Sequence, residues 1–484
     1  MDESIRIISE GPVTLQYCVP FRFNENCFTQ VNDDFASAKD RRGTACLWRE
    51  TAFPMRNNTF IYDHVMSMMN VRQNENSVCR SWLLTKPVKH RYLFIDPEGP
   101  ELAFSFFDIR THLFRTGIGL LCFQIEFEKG CLQNAGQLIS FQQRFKNLYR
   151  SDKALKVSYP PSEPEGEPAR RSVRLGEIIA HLLHDNTSDA IRFFGAAEED
   201  PVPSTALLFS YLCYDCPDRD NLREITVHMA MGYNRQRSQS QEAILSCQEL
   251  ADNVYFYASP GGCAVSVCPD ELNSNFFVKN PPRMTYWFIF LITIYQHCSL
   301  LNFTMRICND FPSDTQAYLQ NSDWADRMQD YTTDIDTFLM KSDIAAVSHV
   351  QYHNLFYTAC RKALHIEEDI GSLRSGFESL VNIQRSMQLN RQKQNWHEQE
   401  LQYREEQENQ EKMNLKINII AIIFALLAFF PELGSFITRL VTLCTKGPSA
   451  LDTGDYISMG LFVTAAAVSL GLLIYLMKKK PSGA

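Results

Sequence analysis

The sequence predicts an α+β cytosolic domain, followed by a long stalk helix and two C-terminal transmembrane helices. Three observations predict this fold class. The chain has 484 residues, 45 % of them hydrophobic, so it can bury the cores of two or three domains. Two long apolar segments lie near its C-terminus. A polar tract rich in Gln, Glu and Arg, without Gly or Pro, precedes the first of them.

The composition excludes several classes of protein. A mean hydropathy of −0.23 excludes a polytopic transporter, and the 33 Phe and 19 Tyr exclude a disordered chain. The net charge of −9 gives no support for direct binding to nucleic acid. Met1–Ser4 has neither the basic nor the apolar character of a secretion signal. We therefore expect the 15 scattered cysteines to be reduced thiols in the cytosol.

The two apolar segments, Ile417–Val441 and Tyr456–Met477, predict a pair of membrane-spanning helices. Each is long enough to cross a hydrocarbon core of roughly 30 Å. Lys416 precedes the first segment and Lys478–Lys480 follows the second, so the positive-inside rule places both termini in the cytoplasm and the loop 442–455 outside. The alternative is a buried helical hairpin of a soluble domain.

A third apolar segment, Met284–Met305, contains no Asp, Glu, Lys or Arg. Gln296, His297 and Asn302 make its transfer into lipid less favourable. A third span would also place the C-terminal tail across the membrane from the N-terminal domain. We therefore expect a buried helix of the cytosolic domain, with a third membrane span as the alternative.

Residue pattern divides the chain into parts. They are an N-terminal α/β part (1–158), a Pro/Glu-rich linker or loop (159–171), a second cytosolic part (172–343), a helical stalk (344–416), the first transmembrane helix (417–441), an external loop (442–455), the second transmembrane helix (456–477) and a basic cytoplasmic tail (478–484).

Alternating apolar residues predict the strands of the cytosolic part, and wider apolar spacing predicts its helices. The predicted strands are Arg91–Ile95, Leu102–Phe107, Thr111–Phe114, Leu120–Phe127, Thr205–Tyr214 and Asn253–Ala258. The glycines of Arg115–Gly119 suit a hairpin turn. The predicted helices are Val173–His184, Trp324–Lys341 and Ile344–Ile370.

The polar tract Gln388–Lys412 favours helix because most of its residues have high helix propensity. A continuous helix from Ser372 to Arg439 would be about 100 Å long. A helix that is polar all round is commonly stabilised by packing against copies of itself. A flexible charged linker is the alternative.

No motif points to catalysis, since the sequence has no P-loop, no Gly-rich dinucleotide loop and no H-E-x-x-H. Cys213–Cys216 is a C-x-x-C, but Cys263 and Cys268 lack the spacing that completes a zinc ribbon. His353 and His365 are twelve residues apart on one predicted helix, which is unsuited to a shared metal ion. We therefore expect neither catalytic residues nor a metal site.

One face of the first apolar segment carries small or polar residues at alternating steps of four and three. These residues are Asn414, Asn418, Ala421, Ala425, Ala428, Glu432, Ser435 and Arg439. A repeat that averages 3.5 residues stays on one face of a left-handed supercoil. Asn418 and Glu432 favour a pore lining, because unpaired polar groups are costly inside a bilayer. A helix-packing seam is the alternative.

The second apolar segment repeats this spacing with small residues alone. Gly460, Thr464, Ala467 and Gly471 share one face. Small residues let two helices approach closely. We therefore expect this face to lie against the first membrane helix.

The arrangement resembles the CorA family of metal-ion transporters. The resemblance covers about 140 positions, from Ile344–Ser348 through the polar tract and both apolar segments to Lys478–Lys480. It implies a homopentamer with a long stalk continuous with a pore-lining first helix. The family's Tyr-Gly-Met-Asn signature is absent, and the corresponding region reads Pro431–Phe436 and Thr445–Gly447. A divalent metal-ion transporter with an altered selectivity filter is therefore one of two competing functions.

The chain also resembles a divergent branch of that family, the CorA-like membrane effectors of type III CRISPR systems. This resemblance lies in Leu291–Phe303, Arg115–Phe123 and Val347–Phe356. It implies a pentameric channel of the inner (plasma) membrane that acts in antiviral defence. It also implies a small nucleotide ligand, such as a conjugate of S-adenosylmethionine and AMP, and no other cofactor. A membrane-tethered scaffold without conduction is a third reading.

An adenine nucleotide needs a stacking surface and cationic contacts to its phosphates. Arg115 in the hairpin meets the second need. Tyr233, Arg235 and Arg237 meet both needs in one polar stretch. We expect these residues to bind the ligand, with a solvated turn and a solvated loop as the alternative.

Overall fold

The computed structural model describes residues 5–8, 13–38, 47–55, 60–71, 77–85, 91–94, 101–146, 148, 155–156, 175–184, 191–196, 202–232, 241–310 and 323–478. The chain forms two compact units, Met1–Asn382 and Ile383–Ala484, each of which is described by itself. The linker predicted at 159–171 and most of the basic tail lie outside the described residues.

The first unit is an α/β domain built on a mixed sheet. The strands are β1 (Arg6–Ile7), β2 (Thr14–Arg22), β3 (Trp48–Glu50), β4 (Cys79–Leu84), β5 (Tyr92–Phe94), β6 (Leu102–Phe114), β7 (Ile118–Phe127), β8 (Leu155–Lys156), β9 (Arg192–Phe193), β10 (Leu207–Asp215), β11 (Gln248–Ala251), β12 (Val254–Ser259) and β13 (Gly262–Val267).

Helices cover the sheet and form the C-terminal region. They are α1 (Phe28–Ser37), α2 (Asp63–Met68), α3 (Ala135–Lys146), α4 (Leu175–His184), α5 (Arg219–Met231), α6 (Gln241–Leu245), α7 (Arg283–Asp310), α8 (Asp323–Ser342), α9 (Gln351–Ala363), α10 (Ile366–Lys446) and α11 (Thr453–Lys478). Helix α10 begins in the first unit and continues in the second.

The central path of the sheet runs β11-β12-β13-β10-β2-β7-β6-β4-β3. Among the described strands, β10 and β13 form the parallel pair, while the other pairings are antiparallel. Residues of the central strands are buried on both faces, as expected for a sheet covered by helices on each side.

Each face of the sheet has its own core. On one face, Tyr17 and Phe123 belong to the cluster that includes apolar residues of α1, α3, α4 and α5. On the other face, Cys18 and Cys122 belong to the cluster with α2, α7, α8, α9 and the first turns of α10. Adjacent residues on one strand therefore serve different cores, which follows from the two-residue period of a strand.

Helix α7 is the central element of the second core. It is long and apolar enough to cross a membrane, but 78 % of its most apolar window is buried inside the domain. Leu291 and Tyr295 are almost completely buried. This finding confirms that Met284–Met305 forms a buried helix.

Two predicted strands, Leu102–Phe107 and Thr111–Phe114, are one continuous strand, β6. A β-bulge between Phe107 and Arg110 joins them, with Asp108 at φ +47°. Asp tolerates this left-handed conformation better than most residues. The bulge interrupts the alternation of apolar residues, which is why the pattern predicted two strands.

The predicted helix Ile344–Ile370 is also divided, so that prediction was wrong in extent. Residues 343–350 are not helical, and α9 ends at Ala363 before α10 starts at Ile366. His365 has φ +54°, which breaks the helical path. The apolar spacing continues across the break because both helices pack on the same core.

The second unit contains the remainder of α10 and all of α11. Residues Thr453–Gly471 are long and apolar enough to span a membrane, and 0 % of that window is buried. On α10, large apolar side chains such as Ile423 and Phe424 are also exposed. Phe436 of α10 stacks on Phe462 of α11 with ring centroids 4.9 Å apart.

Candidate functional site

The tip of the β6–β7 hairpin contacts α7 through a small polar cluster. The hydroxyl oxygens of Thr116 and Ser299 lie 3.2 Å apart. The side-chain amide of Asn302 donates to the carbonyl of Thr116 at 3.2 Å. Phe114 stacks on Tyr295 with ring centroids 3.9 Å apart. These contacts fix the hairpin turn on the second half of α7.

Glycine is required at the turn of this hairpin. Gly117 has φ +76°, and a Cβ at this position would lie 2.5 Å from the carbonyl oxygen of Phe23. The backbone N–H of Phe23 donates to the carbonyl of Gly117 at 2.9 Å. Only glycine combines this conformation with so close an approach of two chain segments.

The segment at the start of α9 packs on the first half of α7. The ring of Tyr286 lies 4.7 Å from that of Phe356 and 5.6 Å from that of His353. Asn354 closes the preceding turn by accepting from the backbone N–H groups of Val347 and Ser348 at 2.9 and 3.1 Å. Helix α7 thus contacts both the Arg115–Phe123 hairpin and the Val347–Phe356 segment.

A buried arginine lies where α8, α9 and α10 meet. The side chain of Arg361 is only 6 % exposed. It donates to Asp343 at 2.9 Å, to Glu367 at 2.9 and 2.6 Å, and to the hydroxyl of Tyr357 at 2.9 Å. Burial lowers the pKa of Arg361, but Tyr357, Asp343 and Glu367 more than offset this, so its pKa is raised overall. The guanidinium is therefore a permanent charge that holds three helices together.

Helix α7 joins this network through Gln296. Its side-chain amide donates to the hydroxyl of Tyr357 at 2.9 Å and to the backbone carbonyl of Ser342. The next residue, His297, lies 3.6 Å from the carboxylate of Asp369 in the first turn of α10. Burial lowers the pKa of His297, although Asp369 acts in the opposite direction. We call this network the α7–α10 junction.

The sequence did not single out the α7–α10 junction. Its residues are spread from Gln296 to Asp369 and form no motif. The one feature that could have indicated a buried polar network was an arginine among the apolar residues of a predicted amphipathic helix. Arg361 carries that signal, but its partners depend on the break between α9 and α10.

Arg115, a predicted ligand residue, lies at the hairpin but already has partners. Its Nε donates to the carbonyl of Ser77 at 3.3 Å, and its guanidinium lies 5.2 Å from the ring centroid of Phe28. The residue as a whole is exposed. The other three predicted ligand residues, Tyr233, Arg235 and Arg237, lie outside the described residues.

The polar stripe predicted to line a pore lies on α10. Asn414, Asn418, Ala421 and Glu432 are exposed in the single chain, and Ser435 is half-buried. Ala425 and Ala428 belong to the helix, but their side chains lie outside what the structure describes. Arg439 turns toward α11, where its Nε lies 3.1 Å from the carboxylate of Asp455.

The small residues of α11 do not face α10, so that prediction was wrong. A Cβ added at Gly460 or Gly471 would meet no atom within 4 Å. The Phe436–Phe462 stack and the Arg439–Asp455 ion pair set the contact between the helices instead.

Two buried histidines make the free energy of unfolding depend on pH. Burial lowers the pKa of His112 to about 3 and that of His353 to about 4. Each ring shares one hydrogen bond with a serine hydroxyl. His112 pairs with Ser81 at 2.8 Å, and His353 pairs with Ser348 at 2.9 Å. Both histidines are therefore neutral in the folded protein at pH 7 and titrate near 6.5 when it unfolds.

We therefore expect stability to be flat above pH 6.5 and to fall as the pH drops toward 5. Each buried histidine contributes about 1.4 kcal/mol per pH unit in this window. Urea unfolding between pH 7.5 and 5 measures this slope. His353→Gln should reduce the slope, whereas the same change at exposed His349 should not. Equal slopes for both variants would contradict the assignment.

No group of three or more His, Cys, Asp or Glu in the described part of the chain could hold a metal ion. The described cysteines are free thiols, and most are buried, including Cys213 and Cys216. Cys308 and Cys444 are the exposed ones among them. Burial raises the pKa of Cys213 to about 12, so this thiol stays protonated.

Comparison with models of protein families, with curated proteins and with solved structures finds no match to this chain.

Proposed function

We propose that this protein is a homo-oligomeric, CorA-like membrane channel, with a pentamer as the expected assembly. Its cytosolic domain binds a nucleotide messenger of the class of the S-adenosylmethionine–AMP conjugate, and binding opens the channel. The ion leak through the inner membrane then acts in antiviral defence of the type III CRISPR kind.

The observation that carries this proposal is the exposed apolar surface of the second unit. Thr453–Gly471 has no buried part, although its composition suits a membrane span. Phe424 of α10 is 68 % exposed. Exposing so many large apolar side chains to water is unfavourable, whereas lipid tails suit them. This exposed apolar surface supports the proposal that the second unit lies in a membrane.

The α7–α10 junction supports a coupling between ligand and channel. Helix α7 contacts the hairpin that carries Arg115, and Gln296 of α7 contacts the network around Arg361. A ligand that binds one arrangement of α7 more tightly would shift the population of arrangements at the start of α10. The same helix carries the polar stripe. We propose that Arg115, together with Tyr233, Arg235 and Arg237, contacts the ligand.

The channel is tested by recording currents in planar bilayers with and without the nucleotide conjugate. We expect current only with the ligand and a preference for cations, because a ring of Glu432 carboxylates attracts them. Glu432→Gln should lower the cation-to-anion permeability ratio by about fivefold or more. Ile423→Ala, on the bulky face of the same helix, should leave the ratio unchanged.

The outcomes separate the competing readings. If Glu432→Gln and Ile423→Ala behave alike, the stripe is a packing seam. If the ligand evokes no current but the protein rescues a magnesium-starved strain, it is a divalent metal-ion transporter. If it does neither, the scaffold reading stands.

A further inference from the structure

The polar stripe of α10 carries charges of opposite sign. Arg439 follows Glu432 by seven residues, so both start from the same face of the helix. Seven helical residues span about 10 Å, which places the two residues at neighbouring levels of the stripe. A ring of Arg439 side chains facing the axis of a pore would repel the cations that a ring of Glu432 attracts. The direction of the Arg439 side chain therefore matters for the ions that the stripe accepts.

Helix α11 holds the side chain of Arg439. Its Nε lies 3.1 Å from the carboxylate of Asp455, and its Nη1 donates to the hydroxyl of Ser458. The stack of Phe436 on Phe462 brings the two helices together beside this pair. A guanidinium with two partners on one neighbouring helix has a fixed direction. The charge of Arg439 is thus drawn from the stripe toward α11.

The carboxylate of Asp455 has a position of its own in α11. It lies in the first turn of the helix, where the helix dipole favours a negative charge. Its Oδ2 also accepts from the backbone N–H of Asp452 at 3.4 Å, while Oδ1 faces Arg439. Asp455 therefore anchors Arg439 rather than the reverse.

The surroundings of Arg439 leave its side chain two directions. Leu440 and Val441 are apolar and 41 % and 52 % exposed, so they suit lipid. A charged group pointing into lipid is costly unless it is paired. The stripe offers the hydroxyl of Ser435 one turn away and, in a pore, water. Without Asp455, the guanidinium is therefore expected to turn to the stripe.

We propose that Asp455 is a positioning residue for ion selectivity, which acts by holding Arg439 off the polar stripe. This inference rests on the proposed function, because selectivity requires a conducting pore. The stripe on α10 then keeps the negative field of Glu432, although Arg439 stands on the same face. A residue of the second apolar helix thus controls which ions pass along the first.

The first test measures reversal potentials of the full-length protein in planar bilayers, under a KCl gradient and with the S-adenosylmethionine–AMP conjugate. Asp455→Asn should lower the cation-to-anion permeability ratio by about threefold or more, because it releases a unit positive charge to the stripe. Asp452→Asn is the matched control. It removes the same charge at the same end of α11, but its carboxylate accepts from the backbone N–H of Thr453 at 2.8 Å. Equal ratios for the two variants would overturn the proposal.

A double variant separates positioning from a direct effect of the carboxylate. Adding Arg439→Gln to Asp455→Asn removes the released charge, so the permeability ratio should return to that of the unmodified protein. A ratio that stays low in the double variant would show that Asp455 acts directly or only supports the fold. Either result would overturn the proposal.

The second test needs no current. In a Ser435→Cys background, the thiol at position 435 reacts with an anionic or a cationic methanethiosulfonate, and mass spectrometry of its peptide gives the two rates. Asp455→Asn should raise the anionic-to-cationic rate ratio by about threefold or more, and Arg439→Gln should reverse this rise. An unchanged ratio would overturn the positioning of Arg439 and leave the channel standing. A raised ratio without ligand-evoked current would support that positioning and overturn the channel.

Discussion

Arg361→Met is expected to lower the free energy of unfolding of the cytosolic domain by about 3 kcal/mol. The guanidinium is almost fully buried and satisfies Asp343, Glu367 and Tyr357 together. Methionine fills a similar volume but removes the buried cation from Asp343 and Glu367, and Asp343 keeps the more distant Arg374, 3.7 Å away. The loss is moderated because Glu367 is 67 % exposed and regains water.

Arg374→Met is the matched control for Arg361→Met. Arg374 also approaches Asp343, at 3.7 Å, but its side chain is 58 % exposed. An exposed ion pair contributes less than about 1 kcal/mol. Chemical unfolding of the full-length protein in detergent, followed by near-ultraviolet circular dichroism, compares the two variants. Equal losses would show that Arg361 does not hold the junction together.

A single aspartate should have opposite consequences in α7 and in α11. Leu291 of α7 is 0 % exposed, so Leu291→Asp buries an unpaired charge and should cost more than about 4 kcal/mol of folding free energy. Leu461 of α11 is 65 % exposed. Leu461→Asp should leave the cytosolic domain folded but reduce membrane insertion, at a cost of roughly 2.5–3.5 kcal/mol.

Protease resistance of the cytosolic domain and resistance to alkaline extraction from membranes report these two outcomes separately. Leu291→Asp should make the cytosolic domain sensitive to protease. Leu461→Asp should leave the domain resistant but allow part of the protein to be extracted from membranes by alkali. If Leu291→Asp stayed folded and was instead released from the membrane, α7 would be the span and its assignment to the core would be wrong.

Much of the architecture was accessible from the sequence because it depends on local pattern. The apolar alternation of Leu120–Phe127 and the glycines of Arg115–Gly119 correctly predicted β7 and its hairpin turn. Polar residues of α7 indicated correctly that this helix belongs to the core. The α/β character of the first unit and the helical C-terminal region were likewise predicted.

What the sequence did not reveal depends on contacts between distant residues. The break at His365 leaves the apolar period unchanged, so periodicity alone could not locate it. Phe462 and Asp455 form the face of α11 that contacts α10. The sequence pattern instead favoured the face with the small residues, because their regular spacing is typical of helix packing. The partners of Arg361 could not be read from the sequence, because Asp343 and Glu367 lie on either side of its helix and contact it only in the folded domain.

Among the described cysteines, the exposed thiols give each unit its own position for a spectroscopic label. Cys308 lies at the end of α7 in the first unit, and Cys444 lies near the end of α10 in the second. The buried thiols are shielded from reagents, and burial raises the pKa of Cys79, Cys213 and Cys298 as well. Among the described cysteines, maleimide dyes therefore favour the two exposed positions, so each unit can carry its own dye in the native sequence and can be followed separately.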